Sequence, residues 1–527
     1  MLTSLLRLFF IGGLTLLFAM PAVAQQSGGT TLRFIPQADL SSLDPYWSGV
    51  YITRNFGYMI YDTLFAMDSQ FRPRPQMVET WRISDDELSY TFTLREGLKF
   101  HDGQPVRPAD VVASLKRWGQ RNVAYGQPLL AIATAIEPTS DREFRIELKK
   151  PFPVLEALAA LPTPVLFIMP ERLAKTDAYT QVKEAIGSGP FKFLTDEWQP
   201  GHKVAYVKNP DYVARSEPPN WATGGKVAKV NRVEWLYIPD AVTAAQALSA
   251  GEVDYWENVP SDSVTSLERD PNITIVSIPG AVGVVRFNHL TPPFNNIKMR
   301  QAVLAVADQR DYLSAMAGDQ SNWRTCFSFY ACDIAEVDEQ GGEALSGPRD
   351  YDKARRLIGE SGYRGERIVV LDPADTPQPH AEALITNDLL RRLGLNAELA
   401  TTDWGTVVKR RNMREPVEQG GWSVYNTTVG YYDMANPATN PFLQAGGATG
   451  VVGWPTDERI EGLRSAWFVA TDNAKRRDLA HQIQQRAFEI VPYIPTGQYV
   501  IKRAFRKNIT GVIEAPIPFL WNVEKRQ

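Results

Sequence analysis

Reactive side chains are scarce in this sequence, and their scarcity removes several functions at the outset. Histidine occurs five times in 527 residues, as His101, His202, His289, His380 and His481, and no two are spaced as an HExxH zinc helix requires. No GxSxG segment is present to expose a serine nucleophile. Carboxylates are plentiful, but no nucleophile, base or metal set accompanies them, so an enzyme is disfavoured. Basic charge is not in excess. Lys and Arg number 56 against 60 Asp and Glu, a net charge of -4, which supplies neither a footprint for nucleic acid nor a polybasic hold on anionic lipid. Long apolar runs are also missing, since Leu8 to Met20 falls short of the ~20 residues that span a bilayer. There is no internal repeat.

What is present begins with an export signal at residues 1–24. Arg7 gives a weakly basic start, the apolar run follows, and Ala22-Val23-Ala24 forms a small-x-small cleavage site. Cleavage after Ala24 and release into the periplasm are expected, and no cysteine there suggests a lipid anchor. The only cysteines are Cys326 and Cys332. An oxidising compartment favours bridging them, and their spacing allows the two Cα atoms within bonding reach. A metal site at the pair would want a nearby histidine or a second CxxC, and neither is there. The mature chain of about 500 residues exceeds what one core organises, so at least two lobes are expected.

The most regular local pattern lies between Pro75 and Trp118. Leu88, Tyr90, Phe92 and Leu94 alternate with Ser89, Thr91, Thr93 and Arg95, the period of a half-buried strand. Asp102-Gly103 supplies a tight turn. Pro108 suits a first helical position, and Val111, Val112, Leu115 and Trp118 share one helix face. This run, PQMVETWRISDDELSYTFTLREGLKFHDGQPVRPADVVASLKRW, resembles the signature of the family 5 extracellular solute-binding proteins, the peptide, nickel and opine receptors of bacterial ABC importers. Further blocks recur in family order: Leu43-Asp44-Pro45, Lys208-Asn209-Pro210-Asp211-Tyr212, Pro292-Pro293-Phe294, Asp350 to Leu357, and Gly421-Trp422.

The resemblance implies an α/β, two-lobed periplasmic binding protein with mixed sheets flanked by helices. Lobe I is expected from 25–62, 184–287 and 493–527, an inserted subdomain from 63–183, and lobe II from 288–492. Two crossings between lobes permit hinge closure around a solute. The closed receptor, a monomer, would then dock on ABC permease subunits in the inner membrane, with no cofactor and no metal. Glu252, Asp254 and Glu257 lack the ligand spacing of a calcium loop and read as solvated acids. Leu384, Ile385, Leu389 and Leu393 form an apolar helix face. Arg300 reads as a helix-surface or ion-pair residue.

Candidate ligand contacts follow from the same resemblance. Tyr46 and Trp47 either line the cleft or serve as core and turn aromatics. Trp422 belongs to the family's cleft segment, and peptide receptors place an aspartate three residues later, where it meets a free α-ammonium group. This chain has Tyr425 there, followed by Asn426. Tyr431 and Asp433 come next; Asp433 either replaces the missing carboxylate or caps a helix. A cleft-facing Asp433 would require a cation or hydrogen-bond donors on the ligand. Peptide or peptide-like cargo is expected, with opine, saccharide or metal chelate left open.

Overall fold

The computed structural model describes residues 30–47, 49–332, 334, 339–470 and 472–526; the expected leader and its cleavage site lie outside them. The chain enters through β1 (Thr31–Ile35) and α1 (Tyr51–Ile60), a helix with nine of its ten residues buried. A helix enclosed to that degree must pair its polar side chains inside the protein. The alternating segment folds as a separate antiparallel sheet of β2 (Val78–Ile83), β3 (Ser89–Leu94), β4 (Ala133–Pro138) and β5 (Glu143–Leu148), in the order β2-β3-β5-β4. Tyr90 and Phe92 stand opposite Ile146 and Phe144, and the Phe92 and Phe144 rings stack at 4.9 Å. The apolar face of α2 (Pro108–Arg121), with Val111, Leu115 and Trp118 fully buried, covers this sheet. Arg117 of α2 ties it to the Leu43-Asp44-Pro45 turn through a buried ion pair of 2.6 Å with Asp44.

The main sheet joins both halves of the molecule. It contains β6 (Phe191–Phe193), β7 (Lys203–Lys208), β8 (Arg232–Leu236), β9 (Tyr255–Trp256), β10 (Ile273–Phe287), β11 (Ile368–Pro373), β12 (Ala397–Thr402), β13 (Val424–Gly430) and β14 (Tyr493–Arg506), together with β1. The order is β12-β11-β13-β10-β14-β9-β1-β8-β7-β6, with Trp323–Arg324 pairing off β14. β10 and β14 run antiparallel from Ile273 opposite Arg506 to Arg286 opposite Tyr493, so the same two strands serve both ends of the sheet. Their register slips between Pro279 and Ala281. Gly280 is required at that slip, because a Cβ there would lie 2.2 Å from the Tyr499 carbonyl oxygen. Such an irregularity bends a strand pair locally.

On one face of the β11, β13 and β10 segment lie α3 (Ile297–Leu304), α4 (Gln309–Ala317) and α5 (Pro377–Arg392). Arg300 of α3 is buried and donates to the carbonyls of Phe294, Ile490 and Val491 rather than forming a surface ion pair. The buried stripe of α5 is Glu382, Ala383, Thr386, Leu389 and Leu390, whereas Leu384 is exposed. Ile385, Leu389 and Leu393 of the expected apolar face pack into this core, and Leu384 alone of the four stands outside it. Across the interface, Gly283 of β10 leaves room for the Glu382 carboxyl, which a Cβ would approach to 2.3 Å.

Asp254 and Glu257, expected in solvent, are buried instead. Asp254 accepts from the Arg33 backbone N–H at 2.8 Å and from Lys525 Nζ at 2.9 Å. Its partners are remote in sequence, which hides the burial from local pattern. Beyond β13, α6 (Trp404–Arg410) lies earlier in the chain, while α7 (Glu458–Val469) and α8 (Asn473–Ile490) pack together before β14. Cys326 and Cys332 are joined by a disulfide with Cα atoms 5.9 Å apart. Inside that loop the Ala331 N–H donates to the Met434 carbonyl at 3.0 Å, bracing the turn that follows β13. Among the described residues, no helix is long and apolar enough to cross a membrane.

Candidate ligand-binding site

Tyr51, Arg54 and Asn55 of α1 are spaced i, i+3 and i+4 and so share one helix face. That face meets the end of β13 and the Tyr431–Met434 turn. The Tyr51 hydroxyl donates to Asp433 Oδ2 at 2.5 Å and accepts from the Gly430 N–H at 2.8 Å. Arg54 Nη1 donates to the Tyr432 hydroxyl, and its guanidinium stands 4.4 Å and 5.2 Å from the Tyr51 and Tyr432 ring centroids. Asn55 Nδ2 donates to Glu257 Oε1 at 3.0 Å, and Glu257 Oε2 accepts from the Gln37 N–H at 2.9 Å. One connected polar network thus runs from the Asp433 turn to the end of β1.

Burial governs its electrostatics. Desolvation pushes the Asp433 carboxyl up to about 6, although the Tyr51 bond and the Arg54 charge oppose the shift. Glu257 is also raised by burial, against the nearby Arg503. Burial alone would lower Arg54, but Tyr432, Tyr51 and Asp433 around it prevail and hold it above its ordinary value. Two atoms of this network remain buried without a hydrogen-bond partner, Asp433 Oδ1 and Arg54 Nε. An unused acceptor and an unused donor in one cluster complement a solute that carries both an ammonium and a carboxylate.

The other expected contacts are distributed differently. Tyr46 is buried below Arg117, and its hydroxyl donates to the Phe167 carbonyl. Trp47 is 38% exposed beside Arg121, away from the Asp433 cluster in its contacts. Tyr431 packs edge-on to Phe71, which in turn meets Trp221. Successive strand residues point to opposite faces: Tyr425 lies under Arg411, and Asn426 faces α5 and donates to Thr386 Oγ1 at 2.9 Å.

Trp422 and Tyr425 belong to a second cluster. Trp422 is fully buried, donates to the Met413 carbonyl at 3.1 Å, and supports the Tyr425 ring edge-on at 5.2 Å. Over Tyr425 lies Arg411, 5.4 Å from its centroid and 5.4 Å from that of Trp404. The Trp404 N–H donates to Asp375 at 2.7 Å. Tyr237, beyond β8, is held above its ordinary value by burial and by Asp39 and this same Asp375. From Tyr425 to Gly430, β13 spans about 16 Å. The α1 residues were missed from sequence; their signal is three polar side chains on one face of a helix too apolar to be a surface one.

The model of bacterial extracellular solute-binding proteins, family 5, matches residues 72–450. The chain belongs to this family. It is 38% identical over 515 residues to a probable peptide ABC transporter periplasmic-binding protein of Sinorhizobium fredii, covering 97% of this chain and 96% of the relative. It is 25% identical over 495 residues to the glutathione-binding protein GsiB of Escherichia coli, covering 90% of each. Among solved structures, the binding protein AgaA of A. tumefaciens R10 in complex with agropinic acid matches with a TM-score of 0.81 at 21% identity, over 94% of this chain and 99% of AgaA. DppA of Helicobacter pylori with the peptide STSA matches with 0.78 at 22% identity, over 95% and 98%. The two-lobed α/β architecture and the receptor role in an ABC importer, both implied by the strand-turn-helix run, therefore hold for this family 5 member.

Proposed function

We propose that this family 5 receptor captures a peptide or peptide-like zwitterion between its lobes. The observation that carries the reading is the pair of buried, unpartnered atoms, Asp433 Oδ1 and Arg54 Nε, on opposite sides of the interlobe contact. Lobe I is built from 25–62, 184–287 and 493–527, with 63–183 inserted, and lobe II from 288–492. The halves turn about the slip at Pro279 to Ala281 in β10. In the open form Asp433 and Arg54 are hydrated; in the closed form a ligand ammonium replaces the Tyr51 hydroxyl at Asp433, and a ligand acceptor reaches Arg54. Closure is favoured because only the closed form makes both sets of contacts. The exported monomer, cleaved after Ala24, then delivers its cargo to the permease.

An opine, an amino-acid conjugate with its own carboxylates, is the second reading. Tyr425 supports it, since an aromatic ring packs against apolar or planar ligand groups and offers no charge to an ammonium. Native mass spectrometry of the purified mature protein, with denaturing release of what co-purifies, separates the two. Calorimetry with the released compound tests the site: Asp433→Asn and Arg54→Met should each weaken binding at least tenfold with the fold intact. Unchanged affinity in both variants would remove the assignment.

A further inference from the structure

We infer that Phe468 of α7 and Phe152 form a latch that holds the two lobes closed without touching the ligand, and so sets the apparent affinity for every solute captured. The inference rests on the two-lobe reading above, in which 63–183 moves with lobe I, and α7 and α8 move with lobe II. Phe152 and Phe468 stack with ring centroids 5.4 Å apart and planes 12° from parallel, and Phe468 meets Tyr125 edge-on at 6.0 Å. All three rings are buried. Beside them Arg476 of α8 stands 3.6 Å from Glu156 and lies over the Trp467 ring at 5.0 Å. Each side of the contact is fixed to its own surroundings. The Phe152 carbonyl accepts from the Tyr90 hydroxyl of β3 at 3.2 Å, and the Tyr125 N–H donates to Asn122 at 2.8 Å. Opposite, Arg464 of α7 donates to the Pro437 carbonyl at 3.1 Å, and the Tyr330 hydroxyl to the Ala480 carbonyl of α8 at 3.2 Å.

Rings that face each other across a hinge are buried only while the hinge is shut. Opening at the slip in β10 would return Phe468, Phe152 and Tyr125 to water, which costs free energy whether or not a solute is present. Among the described residues, no ring or ion-pair partner of Phe152, Phe468 or Arg476 belongs to the Asp433 cluster or is Tyr425. The latch therefore acts on population and not on ligand choice. An apparent dissociation constant is the intrinsic one divided by the fraction of molecules in the competent form. Weakening the latch raises it by one factor for all ligands.

Spin labels at Val242→Cys and Leu384→Cys, both exposed and one on each lobe, report lobe separation in the ligand-free mature protein by double electron–electron resonance. Phe468→Leu and Phe152→Leu keep apolar volume and remove the stacked face. Each should lower the closed-to-open ratio about threefold or more. The double variant should fall no further than the larger single effect, because both changes break one contact. Phe144→Leu loosens the stack inside the inserted sheet and should leave the ratio unchanged. An unchanged ratio in both latch variants, single effects that multiply in the double, or an equal shift in Phe144→Leu would overturn the latch. A pool of tri- and tetrapeptides added to the same labelled protein tests capture separately: it should shorten the separation in the wild type, and Phe468→Leu should weaken every peptide retained by the same factor. A pool without effect counts against peptide cargo, and the ligand-free ratios still decide the latch. If neither the peptides nor any variant moves the labels, lobe motion itself fails, and the latch with it.

Discussion

Tyr51 and Asp433, 382 positions apart in the chain, meet with the phenol donating to the carboxylate at 2.5 Å. The contact links α1 to the turn after β13. It also holds a carboxyl group where burial raises it to about 6.

Closure should consequently depend on pH. Burial holds the Asp433 carboxyl at about 6, and an opening that hydrates it would return it toward its ordinary value of 3.8. The closed form thus binds more protons between these values, so it is favoured below about pH 4 and loses that advantage as pH rises to about 6. Two pKa units correspond to at most about 3 kcal/mol. Small-angle scattering of ligand-free protein should show a smaller radius of gyration at pH 4 than at pH 7. Asp433→Asn should flatten the profile, and an identical profile in that variant would exclude Asp433 as its source.

Binding of a cationic ligand should leave the proton balance at Asp433 nearly unchanged. A hydrated Asp433 is mostly ionised at pH 5, and an ammonium placed at it keeps the carboxyl in the ordinary range. Calorimetry of the released natural ligand in buffers of different ionisation enthalpy should report almost no proton exchange per ligand at pH 5 and at pH 8. Uptake close to one proton at pH 5 would contradict an ammonium at this position.

Glu382 should destabilise the protein at neutral pH. It is fully buried, its Oε2 lacks a partner, and burial raises its carboxyl well above the ordinary value despite the Thr496 hydroxyl bonded to Oε1. The unfolded chain ionises above about pH 4.5 while the folded chain stays protonated, so stability falls as pH rises from there toward the folded value. Glu382→Gln removes this dependence. Its melting temperature should exceed that of the wild type by about 1 °C at pH 8, corresponding to about 1 kcal/mol for a chain of this length, with the difference vanishing near pH 4. A lower melting temperature for the variant at pH 8 would refute the argument.

The Cys326–Cys332 bridge should stabilise the turn beneath the site. Intact mass without reductant should be lighter by two hydrogens than after reduction. A short closed loop contributes about 2 kcal/mol through the unfolded state, so Cys326→Ser with Cys332→Ser should melt several degrees lower. Because Ala331 holds Met434, hydrogen exchange should also rise in the 431–434 turn; unchanged exchange there would confine the bridge to its own loop.

Much of the fold was legible because it is locally encoded. The alternation through Tyr90, Phe92 and Leu94 specifies a strand with one buried face wherever that strand is placed, and the Pro108 helix follows from its own spacing. Such patterns carried the family, and with it the two-lobed architecture. The tertiary structure decided which polar groups are buried and what they meet. Glu382 is accommodated in the interior by Gly283, on another element, which leaves room for its carboxyl. Asp254 is interior because Lys525, 271 positions away, pairs with it. Asn426 and Tyr425 are adjacent in sequence yet lie on opposite faces of β13, and only the packing of α5 determines which face is which. Arg54 and Arg411 look like ordinary cations in the sequence; only folding sets each of them against two aromatic rings. Local periodicity records which side chains avoid water, but the partner that permits a charge to be buried comes from elsewhere in the chain, and pairing at that range is a property of the folded structure alone.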